Sequence, residues 1–255
     1  HKIHPFKKLR FNMLLEICAS NYQSAINAQE AGAKRIELCS ELAVGGITPS
    51  YGLLKKVMEE LTIPVMVLIR PRSGNFVYSD ADFDIMKKDI QLCKELGCAG
   101  IVSGILKDDF TVDLKSTQVL VELAKPMNFT FHRAFDQVSN PEEVIQELAE
   151  IGVSRILTSG QHSNAMEGIE NLIRYQLMAS DSLMILPGGG INAANCMAFY
   201  QMGFKEIHAS AFQIIEQTKE KKVPMNSAQF MKENIEIVSS LENIKAILKN
   251  STRED

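Results

Sequence analysis

A five-residue pattern decides the fold and occurs four times, as Gly32-Ala-Lys-Arg-Ile36, Gly97-Cys-Ala-Gly-Ile101, Gly152-Val-Ser-Arg-Ile156 and Gly203-Phe-Lys-Glu-Ile207. Each copy follows an amphipathic helical stretch and opens a short apolar run. Glycine favours the left-handed conformation that ends many helices, and isoleucine is typical of the start of a buried strand. Because the copies lie 51 to 65 residues apart, each interval has room for two strand–helix units.

The intervening strands are also visible in the sequence. They are predicted within Leu61–Ile69, Pro126–Phe131 and Leu183–Pro187, and the first strand within Leu14–Cys18. Eight strands that alternate with helices predict a single-domain α/β fold, the (β/α)₈ TIM barrel. We assign it to residues 13–249, with residues 1–12 as a leader or expression remnant and residues 250–255 as a flexible tail. The last long helix is predicted from near Asn226 to about Leu248.

Composition excludes several classes of partner. The chain has 255 residues, a net charge of -4 and a pI near 5.8, so a surface for nucleic acid or anionic membrane is not favoured. No apolar stretch reaches the ~18 residues of a membrane-spanning helix. The five cysteines do not form the frame of a small disulfide-rich fold, which favours reduced thiols and a cytoplasmic location.

Polar side chains recur near the carboxyl ends of the strands. Strand alternation turns one set of them inward, and charged residues are rarely buried unless they are paired. We therefore predict one pocket at this end of the barrel, where TIM-barrel enzymes place their chemistry. The inward residues are Glu16, Cys18, Glu37, Cys39, Arg70, Ser103, Thr130, His132, Glu206, His208 and Ser210.

Five of these residues are candidates for catalysis, namely Glu16, Glu37, Arg70, His132 and His208. In this hypothesis one glutamate acts as a base, His132 as an acid or second base, and Arg70 as the clamp on a substrate carboxylate. Neighbouring carboxylates would repel unless a cation lies between them, and Arg70 is that predicted cation. The alternative is that both glutamates are structural partners of Arg70 or Arg133.

Two glycine segments are typical of anion binding. Ser159 and Gly160 follow the sixth strand, and Gly188-Gly189-Gly190 follows the seventh, where barrels often hold phosphate through backbone amides. Arg72, in a long loop after the third strand, is the candidate side-chain donor. The alternative is that the glycines only permit a tight turn.

Missing motifs narrow the chemistry without assigning a reaction. No lysine ends a barrel strand, which argues against a Schiff-base aldolase. The first strand has no His-x-His pair, and the chain has no CxxC, HExxH or GxGxxG motif. Whether the protein is an enzyme therefore stays open at this stage.

Eight segments together resemble the CutC family, named for copper homeostasis. They are Glu16–Cys18, Arg35–Ser40, Gly45–Ser50, Ile69–Arg72, Thr130–Asp136, Arg155–Gly160, Pro187–Gly190 and Glu206–Ser210. The resemblance implies a cytoplasmic barrel protein that forms homo-oligomers, as a dimer or tetramer. It also implies a link to copper, with Cys18 and Cys39 at the positions of the family's candidate ligands.

Three hypotheses follow. In the first, Cys18 and Cys39 end neighbouring strands with the same facing and share one Cu(I) ion. In the second, the Glu/Arg/His pocket is a metal-independent enzyme or binding site for a small carboxylate or phosphate. In the third, the chain is a non-catalytic assembly protein. The alternative to Cu(I) binding is that both cysteines serve only as small, buried apolar side chains.

Strand spacing also predicts the relative heights of these groups. Cys18 and Cys39 each lie two residues beyond a glutamate, which is roughly 6 to 7 Å along a strand. We expect both thiols at the rim of the pocket, nearer to solvent than the carboxylates. A metal ion would then bind without entering the polar pocket.

Overall fold

The protein is described here by a computed structural model that covers residues 12–216 and 235–251. Its strands are β1 (Leu14–Ala19), β2 (Arg35–Leu38), β3 (Val65–Leu68), β4 (Gly100–Ser103), β5 (Asn128–Phe131), β6 (Arg155–Thr158), β7 (Met184–Pro187), β8 (Glu206–Ala209), β9 (Phe212–Glu216) and β10 (Ile235–Ser239). Its α-helices are α1 (Tyr22–Ala31), α2 (Tyr51–Glu60), α3 (Asp80–Glu95), α4 (Leu114–Ala124), α5 (Pro141–Glu150), α6 (Ile169–Met178), α7 (Cys196–Gln201) and α8 (Leu241–Ser251). Within these two ranges, no helix has both the length and the apolar composition that crossing a bilayer requires.

Eight parallel strands form the barrel. Strands β1 to β7 lie side by side in chain order, and β8 pairs with the free edge of β1. A parallel bridge between Gly188 and His208 brings β7 to β8 and nearly closes the sheet. Helices lie between successive strands, so the predicted (β/α)₈ fold is confirmed.

The repeated junctions behave as predicted. All four junction glycines, Gly32, Gly97, Gly152 and Gly203, have φ between 76° and 99°. Each of them follows the end of a helix, where a side chain would strain the backbone. The four isoleucines that follow them are fully buried. One local pattern therefore ends a helix and starts the next strand at four places.

The buried apolar residues form two clusters, one outside the sheet of the barrel and one inside it. The larger lies between strands and helices and contains Leu15, Ile17 and Ile36. The smaller lies inside the barrel and consists of Cys18, Cys39, Met66, Leu68 and Val102. Strand alternation thus places both cysteines on the inner face, as the sequence predicted.

The carboxyl-terminal part differs from the prediction. Residues 235–239 form strand β10, which pairs antiparallel with the exposed strand β9, and α8 starts only at Leu241. The predicted helix from near Asn226 is therefore wrong over residues 235–240, while residues 226–234 lie outside the described ranges. Helix α8 continues to Ser251, two residues past the predicted domain boundary. The predicted leader, apart from Asn12, and residues 252–255 of the predicted tail also lie outside the described ranges.

Candidate functional site

Two thiols meet inside the barrel at the ends of β1 and β2. Cys18 pairs in register with Glu37, and Cys39 follows β2 with its amide bonded to the carbonyl of Ala19. Their side chains have the same facing, and the two Sγ atoms are 3.8 Å apart. The structure therefore brings together the two cysteines that the sequence proposed as candidate ligands.

Glu37 and His208 extend the thiol pair. The Cys18 Sγ lies 4.0 Å from Glu37 Oε1, and His208 Nδ1 lies 4.0 Å from Glu37 Oε2. Ligand atoms of Cys18, Glu37 and His208 all lie within 4.8 Å of one another. Sulfur, nitrogen and carboxylate oxygen donors thus converge at one point on the inner face.

A buried ion network lies beside this point, and its central cation is Arg35. The Arg35 guanidinium binds both Glu16 and Glu206, and Arg155 Nε contacts Glu206 at 3.1 Å. His208 Nδ1 is 2.8 Å from Glu16 Oε1. The cation predicted between the glutamates, Arg70, donates to loop carbonyls instead, so that prediction was wrong. Arg35 was not among the predicted site residues, although it lies two residues before Glu37 and the same alternation turns it inward.

The pKa values of the two glutamates, Glu16 and Glu37, shift in opposite directions. Burial alone would raise the pKa of Glu16, but the charge of Arg35 and the bond to His208 outweigh burial and lower the pKa to about 2. Burial raises the pKa of Glu37 to about 7, because His208 offsets burial only in part. Glu16 is therefore ionised at neutral pH, and Glu37 exchanges a proton there.

His208 carries a proton in this arrangement. Burial by itself lowers its pKa, but bonds to Cys18 and Glu16 and the charge of Glu37 raise the pKa of His208 well above its ordinary value. The imidazolium therefore counters the negative charge of the glutamates.

The expectation that both thiols lie nearer to solvent than the carboxylates is met on β1 and wrong on β2. Cys18 is 6% exposed and Glu16 1%, whereas Cys39 has no exposed surface and Glu37 is 5% exposed. The loop after β2 covers Cys39, since a Cβ built on Gly46 would lie 3.4 Å from the Cys39 Sγ. Contact with Cys39 and burial both raise the pKa of the Cys18 thiol. Because ligand atoms of Cys18, Glu37 and His208 lie within 4.8 Å of one another, a metal ion bound at the thiols would share the polar cluster instead of lying above it.

Arg70 and His132 lie on a different part of the wall. Arg70 Nη1 donates to the carbonyls of Val44 and Gly46, and Nη2 donates to the carbonyl of Gly74. The Arg70 guanidinium lies 4.9 Å from the centroid of the Phe76 ring, and that ring lies 4.8 Å from the imidazole of His132. Phe76 thus joins the two predicted residues in one stack, which no sequence motif indicated.

Ser103 points away from the pocket. Its strand partner in register is Phe131, which packs in the outer core, and its hydroxyl donates to the carbonyl of Ile69. Val102 occupies the inner face of β4 instead. The prediction was wrong by one residue because it placed the polar side chain inward without fixing the phase of the strand.

The amides of the predicted anion site already bind a carboxylate of the chain. Asp136 accepts from the backbone N–H groups of Ser159 and Gln161, and the amide of Gly160 donates to the Thr158 hydroxyl. Asp136 also pairs with Arg133 at 2.8 Å. An external anion would have to displace this internal one.

The other predicted anion donors are placed differently. The amide of Gly188 donates to the carbonyl of Thr158. Gly189 and Gly190 adopt positive φ in the turn, and a Cβ on Gly189 would lie 3.5 Å from the Arg133 guanidinium. Arg72 donates to loop carbonyls, including that of Val77, and binds Asp82 at 3.3 Å. Arg72 therefore holds its own loop in place.

Comparison with known proteins agrees with this architecture. The CutC family model matches residues 13–213. A family protein CutC from Photorhabdus laumondii is 44% identical over 204 residues, covering 80% of this chain and 82% of that protein. One from Enterobacter sp. (strain 638) is 47% identical over 198 residues, covering 78% and 80%. The crystal structure of the CutC protein from Streptococcus agalactiae matches with a TM-score of 0.74 at 35% identity, covering 78% of this chain and 98% of that one. The chain belongs to the CutC family.

Proposed function

We propose that this protein binds Cu(I) as its cargo in copper homeostasis, with the thiolates of Cys18 and Cys39 as ligands. The observation that carries the proposal is the 3.8 Å separation of the two sulfur atoms inside the barrel. Thiolates are the soft ligands that Cu(I) prefers. The solved relative from Streptococcus agalactiae bears a copper homeostasis name, which supports the same assignment.

The distance between the sulfurs sets the geometry of a shared ion. At a metal–sulfur distance of about 2.3 Å, sulfurs 3.8 Å apart subtend an angle of about 110° at the ion. This angle is far from linear, so the ion keeps a side open to a further ligand. The donors near that side are Glu37 and, once it has lost its proton, His208. The cluster therefore supports a cargo ion with more than two ligands.

A competition titration tests this function. Reduced protein is titrated with Cu(I) in the presence of a competing chelator, and the Cys18→Ala/Cys39→Ala variant is compared with wild type. Loss of both ligands should weaken binding by more than about 100-fold, beyond the 10- to 100-fold effect of losing an outer partner. The matched control is Cys98→Ala/Cys196→Ala, which removes two other buried thiols. Equal affinity of the Cys18/Cys39 variant and wild type would end the proposal.

Binding should also strengthen as pH rises. The ligand is the thiolate, and the pKa of Cys18 is raised by contact with Cys39 and by burial. Binding therefore releases protons. The same titration repeated between pH 6 and pH 9 checks this, and an affinity that falls with pH would contradict it.

A second function is supported by Glu37. Its Oε2 atom is buried without a hydrogen-bond partner among the described residues, and burial raises its pKa to about 7. Such a carboxyl can donate or accept a proton near neutral pH. We propose as the alternative that the pocket binds or transforms a small anionic molecule without a metal ion. The Glu37→Gln variant should keep binding but lose any turnover, and full turnover in it would refute this role.

Cellular location and assembly complete the proposal. We propose a cytoplasmic homo-oligomer, a dimer or a tetramer, in which the five free cysteines match a reducing compartment. Exposed apolar side chains on β9, Phe212, Ile214 and Ile215, support self-association. Light scattering coupled to gel filtration measures the mass, and a monomer at micromolar concentration would contradict it.

A further inference from the structure

The residue after each junction glycine is tied to the helix that precedes it. At all four junctions its backbone N–H donates, at 3.0 to 3.1 Å, to the carbonyl five residues earlier. This bond is typical of a Schellman motif, in which the side chains of the two bonded residues often touch. One of the four junctions carries a thiol at both positions. The four pairs are Ala28 and Ala33, Cys93 and Cys98, Leu148 and Val153, and Phe199 and Phe204.

These positions bring side chains together. The ring centroids of Phe199 and Phe204 lie 6.1 Å apart, and the thiols of Cys93 and Cys98 hydrogen-bond to each other. The 3.0 Å bond between the Cys98 amide and the Cys93 carbonyl keeps the two Cα atoms within about 7 Å of each other. Disulfides join residues whose Cα atoms are about 4.4 to 6.8 Å apart. The backbone of this junction therefore permits a disulfide between the two cysteines.

The two thiols differ in reactivity. Contact with Cys93 lowers the pKa of the Cys98 thiol although burial opposes this, whereas contact with Cys98 and burial raise the pKa of the Cys93 thiol. Cys98 is 5% exposed and follows the exposed Gly97, while Cys93 is 1% exposed. Because the thiolate is the nucleophile, Cys98 is the thiol that reacts first and Cys93 is the one that resolves its product.

We propose that Cys93 and Cys98 are a peroxide-sensitive pair that forms a disulfide with hydrogen peroxide. The thiolate of Cys98 attacks one peroxide oxygen and breaks the O–O bond, which gives a sulfenic acid and hydroxide. The thiolate of Cys93 then attacks the Cys98 sulfur and displaces a second hydroxide. The two thiol protons convert both hydroxides to water, so the two thiols lose two electrons and the peroxide gains them.

This pair is separate from the proposed copper ligands. Cys93 and Cys98 belong to the apolar cluster outside the sheet, whereas Cys18 and Cys39 belong to the cluster inside it. A thiol reductant reverses the disulfide by exchange. The oxidised form is therefore transient in a reducing compartment, as is usual for redox-sensing disulfides of cytosolic proteins.

Peptide mapping by mass spectrometry identifies the disulfide. Trypsin cleaves after Lys94, between the two cysteines, so the bond would join peptides 89–94 and 95–107. Reduced full-length protein is treated with hydrogen peroxide, the remaining thiols are alkylated, and the digest is compared with one reduced by dithiothreitol. The variants are Cys98→Ala, Cys93→Ala and, as the control, Cys196→Ala in α7. Alanine occupies both equivalent positions at the first junction, so the variants should fold.

Wild type and Cys196→Ala should yield the joined peptides after peroxide treatment, and dithiothreitol should remove them. The Cys98→Ala variant should leave Cys93 open to alkylation, while Cys93→Ala should hold a sulfenic acid at Cys98 that dimedone traps. Absence of the joined peptides from peroxide-treated wild type would overturn the proposal, as would equal yields of sulfenic acid at the remaining thiol of the two single variants. Either result leaves Cu(I) binding at Cys18 and Cys39 to be tested separately.

Discussion

Removal of the Glu16 charge should destabilise the barrel by an amount that depends on pH. Glu16 is 1% exposed and binds both Arg35 and His208. The Glu16→Gln substitution preserves the shape of the side chain but removes its charge. Among the described residues, Arg35 would keep Glu206 as its charged partner, and the imidazolium of His208 would lose the carboxylate that lies 2.8 Å from its Nδ1.

The magnitude follows from the pKa of Glu16, which is lowered from 4.5 to about 2 because Arg35 and His208 outweigh burial. A pKa change of one corresponds to about 1.4 kcal/mol, so the ionised carboxylate stabilises the folded state by about 3 kcal/mol at pH 7. Because the pKa is lower in the folded state, this stabilisation is complete well above pH 4.5 and is lost as pH falls toward 2. It should fall to about half its full value near pH 3.3.

Urea unfolding at several pH values between 7 and 3 measures the effect. The difference in unfolding free energy between wild type and Glu16→Gln should be about 3 kcal/mol at pH 7 and should shrink on acidification. The matched control is Glu59→Gln, which alters an exposed pair with Lys55 and should leave the unfolding midpoint unchanged. A difference below about 1 kcal/mol, or one independent of pH, would refute the role of this network.

Two further substitutions test the loops above the barrel. The Gly46→Ala substitution places a Cβ 2.7 Å from Leu68 Cδ2, at a residue whose φ is +86°. The loop should therefore move away from the barrel, and Cys39 should react faster with a thiol reagent. An unchanged reaction rate would show that the loop does not cover Cys39. Asp136→Ala should lower the unfolding free energy by about 2–3 kcal/mol and free the amide of Ser159. Inorganic phosphate should then raise the melting temperature of this variant but not that of wild type. An equal rise in both proteins would contradict the view that the carboxylate of Asp136 occupies the anion site.

The barrel could be predicted because its signals are local. The glycine that ends a helix and the isoleucine that opens a strand lie within five residues of each other, as in Gly32 to Ile36. The inward facing of Glu37 and Cys39 follows from alternation alone. Strand β10 was missed because Ile235, Ile237 and Val238 fit a short helical pattern as well as a strand.

The partners within the site could not be predicted as well, because they depend on contacts between distant residues. Arg35 and Glu206 are 171 positions apart and meet only when β8 pairs with β1. The carboxylate of Asp136, which lies in a turn after β5, accepts a hydrogen bond from the backbone N–H group of Ser159 after β6. The sequence indicated that a cation and an anion site were needed, but only the closed barrel shows which side chains supply them.

The most direct test of the account is the X-ray absorption spectrum of the Cu(I)-loaded protein at the copper edge. An ion held between Cys18 and Cys39 should show two sulfur atoms at about 2.3 Å, with one lighter atom from His208 or Glu37 beside them. The sulfur signal should disappear in the Cys18→Ala/Cys39→Ala variant. A first shell of nitrogen and oxygen only, or a sulfur signal that survives the double substitution, would contradict a copper site at this thiol pair.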